Sequence, residues 1–94
     1  MERKQDTGSV DAAALKVAFG RVVYEHRLAG AIEQRPFSRM SGVSNTYLRR
    51  IEAGESMPTL YTVAKIAAAF GIEASDLVDE TMRKANSMRR DRSR

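Results

Sequence analysis

Four side chains within six residues, Asn45, Thr46, Arg49 and Arg50, fall on one arc of a helix that turns about 100° per residue. Their chemistry suits the edges of nucleic-acid bases. An asparagine amide pairs bidentately with adenine, an arginine fork with O6 and N7 of guanine, and a threonine methyl touches that of thymine. The opposite arc carries Leu48, Ile51 and Glu52, so the segment has one face to dock and one to offer. An ordinary solvated helix face has the same composition, and the surrounding pattern must decide between the two. Other chemistries lack their residues. The chain has no cysteine and a single histidine, His26, which sits on an apolar stripe, so neither a metal site nor a nucleophile with its base can be assembled. No glycine-rich phosphate loop is present. No enzyme activity, catalytic residue, metal or cofactor is expected.

The elements that must position this face are all helical. A first helix is predicted from Ser9 or Asp11, either of which can cap it, to about Leu28, with Leu15, Phe19, Val22, Val23 and His26 as its buried stripe. Ala29-Gly30-Ala31 ends it. A short second helix spans Gln34 to Ser41, with Pro36 in its first turn and Phe37, Met40 and Ser41 facing inward, away from Arg35 and Arg39. Gly42 breaks the chain. Ser44 then caps a third helix, with Val43 and Leu48 placed as a hydrophobic staple and Gly54 as the left-handed terminator. A fourth helix follows Pro58 and Thr59, with Leu60, Val63, Ala64, Ile66, Ala67 and Phe70 buried, and stops at Gly71. A fifth begins near Ser75, its first turns rich in acids (Asp76, Asp79 and Glu80) that favour a helix N-terminus. No strand signal appears. The fold class is all-α, a compact five-helix bundle.

Two short helices separated by Gly42-Val43-Ser44 make a helix-turn-helix pattern. The run Gln34, seven residues, Gly42-Val43-Ser44, two residues, Tyr47-Leu48, two residues, Ile51-Glu52, one residue, Gly54 resembles the Cro/CI (Xre) family of helix-turn-helix regulators. Pro58-Thr59-Leu60, Val63, Ile66-Ala67 and Phe70-Gly71-Ile72 resemble that family's fourth helix, and Phe19-Gly20, Val23 and Arg27 its first; the similarity spans about residues 19–80. It implies a lambda-repressor-like DNA-binding domain whose partner is double-stranded DNA. It further implies that Gln34 contacts the DNA backbone, with Arg35, Ser44 and Tyr47 as additional phosphate contacts and Asn45, Thr46, Arg49 and Arg50 at the bases. Arg27 and Glu52 fall where the family places an ion pair between first and third helices, a structural role. The sequence departs from the pattern at several points. His26 replaces a usual Leu, Ser38 a common Ala, and Glu33 a Ser or Thr cap. Glu55 stands where the family often has Lys or Arg near phosphate, which leaves the loop 54–58 only backbone N–H groups to offer.

The 94 residues, 43% hydrophobic, suffice for one modest domain. The organisation expected is a disordered segment over 1–9, the helix-turn-helix domain over 10–81, and a basic tail over 82–94. The net charge of +4 belongs to that tail: residues 82–94 carry Arg83, Lys84, Arg89, Arg90, Arg92 and Arg94 against Asp91 alone, leaving residues 1–81 at −1. The tail reads equally as an arm, Arg89 to Arg94, that adds phosphate contacts or enters a minor groove, or as a disordered, solubilising end, with extension of the fifth helix as a variant of the latter. No uncharged stretch approaches the ~18 residues of a membrane span, and no apolar run follows the N-terminal charges, so a cytoplasmic protein with no membrane partner is expected. The resemblance implies a sequence-specific regulator, a repressor or autoregulator, acting as a homodimer with half-sites about 34–36 Å apart. Tyr61, Leu77, Val78 and Met82 are the apolar residues expected on the dimer surface. The alternative is an antitoxin or adaptor whose main role is to bind a protein partner, a toxin or another regulator.

Overall fold

The computed structural model describes residues 10–93, and side chains as far as Met88. Five helices follow one another: α1 (Ala12–Ala29), α2 (Gln34–Ser41), α3 (Asn45–Glu52), α4 (Leu60–Phe70) and α5 (Ala74–Ser93). No strand occurs among the described residues. The segment 1–9, expected to be disordered, lies outside them.

Each boundary has a local cause. The Asp11 carboxylate caps α1 by accepting from the Ala13 and Ala14 N–H groups; Ser9, the other cap candidate, lies outside the described residues. At its other end the chain closes a Schellman turn, Ala31 N–H donating to Leu28 O and Ile32 N–H to Arg27 O. The left-handed position falls on Ala31 (φ 56°), not on Gly30 (φ −93°). Gly42, Gly54 and Gly71 supply the positive φ that ends α2, α3 and α4. The turn between α2 and α3 is held from within. Ser38 Oγ donates to Val43 O, Ser41 Oγ donates to Phe37 O, and Ser41 Oγ in turn accepts from Val43 N–H. Ser38 therefore does more than fill the volume of an alanine.

One core, built on Val23, Phe37, Leu48, Ile51, Ile66 and Leu77, joins all five helices. Phe37 stacks on Phe70 with ring centroids 4.4 Å apart. Three inward assignments made from sequence are corrected. Met40 is exposed, as are Leu60 (79%) and Ala64; Leu60 lies about a quarter turn off the centre of the buried arc of α4, where Thr62 is buried instead. Leu77, placed on the outer surface by the sequence, is fully buried.

A second, smaller cluster of Ala14, Ala18 and Ala85, flanked by Leu15 and Met88, seats the second half of α5 on α1. The helix thus continues through the basic segment that begins at residue 82, and its near half packs. Polar contacts line the same seam: the His26 Nε2 lies 2.7 Å from Glu80 Oε1, and Lys84 Nζ lies 3.6 Å from Glu25. His26 also lies against the Phe70 ring, at a centroid distance of 5.0 Å. None of the described helices is long and apolar enough to cross a membrane.

Candidate nucleic-acid interface

The site is built outward from one carboxylate. Glu52, at the last turn of α3, accepts from Arg27 Nε at 2.6 Å and Arg27 Nη2 at 2.7 Å, a bidentate fork from α1. It also accepts from Gln34 Nε2 at 2.9 Å, at the first residue of α2. Arg27 Nη1 donates to Ile32 O at 2.8 Å, so the same guanidinium ties down the link between α1 and α2. Both charged side chains are buried, 9% and 7% exposed. The hydrogen bond to Glu52 holds the Arg27 guanidinium above its ordinary pKa, against the opposing pull of burial. Three helices are thereby fixed to one another at the base of the exposed face of α3.

Close backbone approach reinforces this register. A Cβ added to Gly20, in the middle of α1, would lie 2.2 Å from Ile51 O and 3.0 Å from Glu52 O. Only a glycine lets α1 rest on the C-terminal turn of α3 at this distance.

Outward from this anchor, Thr46, Arg49 and Arg50 are exposed and Asn45 is half-buried. Two concavities share this face. One is lined by Glu33, Gln34, Arg35, Asn45 and Arg49, where the N-termini of α2 and α3 converge. The N-cap Glu33 makes no side-chain bond to α2, so it leaves the helix's first N–H groups to other acceptors. The Asn45 Oδ1 is buried with no partner among the described residues, the acceptor that most wants a donor. The other concavity runs along α3, lined by Gln34, Thr46, Arg49, Arg50 and Glu55, with Tyr24 of α1 on its wall.

Six of the residues singled out from sequence, Gln34, Arg35, Asn45, Thr46, Arg49 and Arg50, thus come together around these two hollows. Ser44 and Tyr47 line neither. The Ser44 Oγ accepts from Tyr47 N–H at 3.2 Å as the α3 cap, and the half-buried Tyr47 side chain packs on the main core. The backbone donors expected of the loop after α3 are partly committed, because Gly54 N–H donates to Ile51 O and Glu55 N–H to Arg50 O. Sequence reasoning missed Tyr24 and its neighbour Arg21. The available signal was their spacing with Val17 on the solvent side of α1, at residues 17, 21 and 24.

Comparison with known proteins bears on the fold and the family. The HTH_3 helix-turn-helix family model matches residues 23–77. Among solved structures, the clp gene regulator ClgR from Corynebacterium glutamicum is similar with TM-score 0.76 and 22% identity, over 84% of each chain. The restriction-modification controller protein C.AhdI from Aeromonas hydrophila is 31% identical with TM-score 0.63, over 66% of this chain and 94% of its own. An HTH_3 family transcriptional regulator from Vibrio cholerae is 25% identical with TM-score 0.70, over 77% of this chain but only 41% of the larger protein. Comparison with curated proteins returned no match. With a matching family model across more than half its length and a controller protein of 31% identity superposing on its bundle, the chain belongs to the HTH_3 helix-turn-helix family.

Proposed function

We propose that this protein is a sequence-specific DNA-binding transcriptional regulator that reads the major groove with α3. The observation that carries the reading is the outward face of α3. Thr46, Arg49 and Arg50 stand free of the protein's own chain, while Leu48 and Ile51 on the other face are fully buried. Arg49 and Arg50 address guanine, Thr46 a thymine methyl, and Asn45 an adenine, whose N6 amino group supplies the donor that Oδ1 lacks once the side chain rotates outward. Each good pairing discriminates by about 1–3 kcal/mol against the wrong base. Gln34, Arg35, the Ser44 hydroxyl and Tyr47 hold the backbone, with the N-terminus of α2 facing a phosphate.

One such module makes few contacts, so the regulator acts as a homodimer on an inverted repeat with half-sites about one turn, 34–36 Å, apart. The exposed apolar residues Leu60, Tyr61, Val78 and Met82 form the dimer surface. The regulator represses transcription, its own gene included; a controller protein of 31% identity supports the regulatory part of this reading. Selection of bound fragments from random duplex DNA at fixed salt tests this reading. The expected result is two symmetric half-sites one turn apart, with altered preference after Arg49→Ala or Arg50→Ala. Recovery of unenriched sequence, or identical preference from those variants, overturns it.

A further inference from the structure

We infer that Arg21 and Tyr24 of α1 grip the DNA backbone beside the C-terminal end of α3, supplying the positive charge that the loop after α3 lacks. This rests on the reading of α3 as the recognition helix. The hollow along α3 does not end at that helix. It continues over Ala53 into a second hollow lined by Val17, Arg21, Tyr24, Glu52, Ala53 and Gly54, so Tyr24 borders both, and the Glu52 carboxylate there is already committed to Arg27. A nucleic-acid strand following the exposed face of α3 past Arg50 is led onto this part of α1.

The chemistry along that path is uneven. The loop from Gly54 to Thr59 contains no basic residue and carries Glu55, and the N–H groups of Gly54 and Glu55 are already donated to Ile51 O and Arg50 O. Arg27 is held by Glu52. Arg21 is the exposed cation of the second hollow and makes no ion pair among the described residues. Its guanidinium lies 5.7 Å from the centroid of the Tyr24 ring, and that of Arg27 lies 5.6 Å from it, so the ring braces Arg21 without neutralising it. A guanidinium fork matches the two free oxygens of a backbone phosphate, and the adjacent phenol donates to one of them or to an oxygen of the next phosphate. Standing on α1 rather than α3, these groups reach the backbone and not the bases, so their contribution is blind to sequence.

Equilibrium binding of the full chain to a duplex recovered by the selection, and to a scrambled duplex, is measured by fluorescence anisotropy over a series of NaCl concentrations. Arg21→Gln is expected to reduce the slope of log K against log salt by about 0.9 per bound protomer and to weaken both duplexes by the same factor. Tyr24→Phe is expected to weaken both a few-fold with the slope unchanged, since the lost group is neutral. Adding Glu55→Lys to Arg21→Gln restores the slope by placing a cation on the same strand. Arg83→Gln, in an α5 side chain paired with Asp79, behaves as wild type. A wild-type slope and affinity for Arg21→Gln overturns the inference, as does a loss confined to the selected duplex, which would put Arg21 at a base edge. Failure of the wild-type chain to prefer any duplex instead overturns the reading of α3 itself.

Discussion

Replacing Glu52 with glutamine preserves its size and removes its charge, and its effect can be worked out from the bonds it makes. Three N–H donors converge on the carboxylate: Arg27 Nε, Arg27 Nη2 and Gln34 Nε2. A carboxylate accepts on both oxygens, whereas an amide presents one oxygen and one NH2 group. At least one of the three donors must then face another donor. Breaking a fully buried ion pair from one side costs about 3–5 kcal/mol, and charge-assisted hydrogen bonds are worth roughly 1.5–3 kcal/mol each. Arg27 keeps its bond to Ile32 O and its contact with the Tyr24 ring, which brings the expected loss to about 2–4 kcal/mol. For a domain of this size that lowers the thermal midpoint by about 10–25 °C, read by far-ultraviolet circular dichroism at neutral pH. The double variant Arg27→Met/Glu52→Leu separates the two parts of the argument. An apolar pair of similar volume is expected to recover most of the stability, because neither buried charge is left alone. DNA affinity should stay low, since Gln34 has lost the group that orients its amide. A midpoint within about 2 °C of wild type for Glu52→Gln refutes the energetic reasoning. Recovery of both stability and affinity in the double variant refutes the positioning role.

Other outcomes follow from particular contacts. Gly20→Ala drives a Cβ to within 2.2 Å of Ile51 O, a backbone atom that no rotamer change can move aside, and should destabilise by about 3 kcal/mol or more in urea unfolding. A wild-type midpoint would mean that α1 and α3 do not meet this closely. Ala31→Gly should act oppositely. Relief of a left-handed alanine, about 1–2 kcal/mol, exceeds the added freedom of glycine in the unfolded chain, so a gain of about 0.5–1 kcal/mol is expected in the same assay. Ala85→Glu buries a carboxylate in the apolar seam between α1 and α5 and should lower stability by about 2 kcal/mol or more; an unchanged denaturation curve would show that the second half of α5 does not pack.

The parts of this molecule that were legible in the sequence are those with local causes. The helices α2 and α3 begin and end where read, because Ser44, Gly42 and Gly54 act on their own backbone and need no distant partner. Apolar identity was a weaker guide. Leu60, Met40 and Leu77 are all large and hydrophobic, but which of them turns inward depends on where neighbouring helices lie. Gly30 and Ala31 show the same limit on a smaller scale. Glycine tolerates the left-handed region best, yet the Schellman turn puts that position one residue later, where Ile32 can reach back to Arg27 O. The Gln34–Glu52 bond and the place of Tyr24 beside α3 join residues 18 or more apart in sequence, and no periodicity encodes such meetings.

Net charge is the feature that would most mislead if taken alone. Outside the basic C-terminal segment the chain sums to −1, hardly the balance of a polyanion binder. What matters is which charges have already been answered. Along the α1–α5 seam Glu25 meets Lys84; on α5 Asp79 meets Arg83, and at the base of α3 Glu52 meets Arg27. Arg35, Arg49 and Arg50 have no acidic partner within ion-pair distance among the described residues, and all three lie exposed around the hollows that α2 and α3 frame. They outnumber Glu33 and Glu55, the exposed acids of the same hollows, which leaves a modest positive excess on one face of a nearly neutral domain. Within a Debye length of about 8 Å at physiological salt, a phosphate responds to that face and not to the sum over the chain.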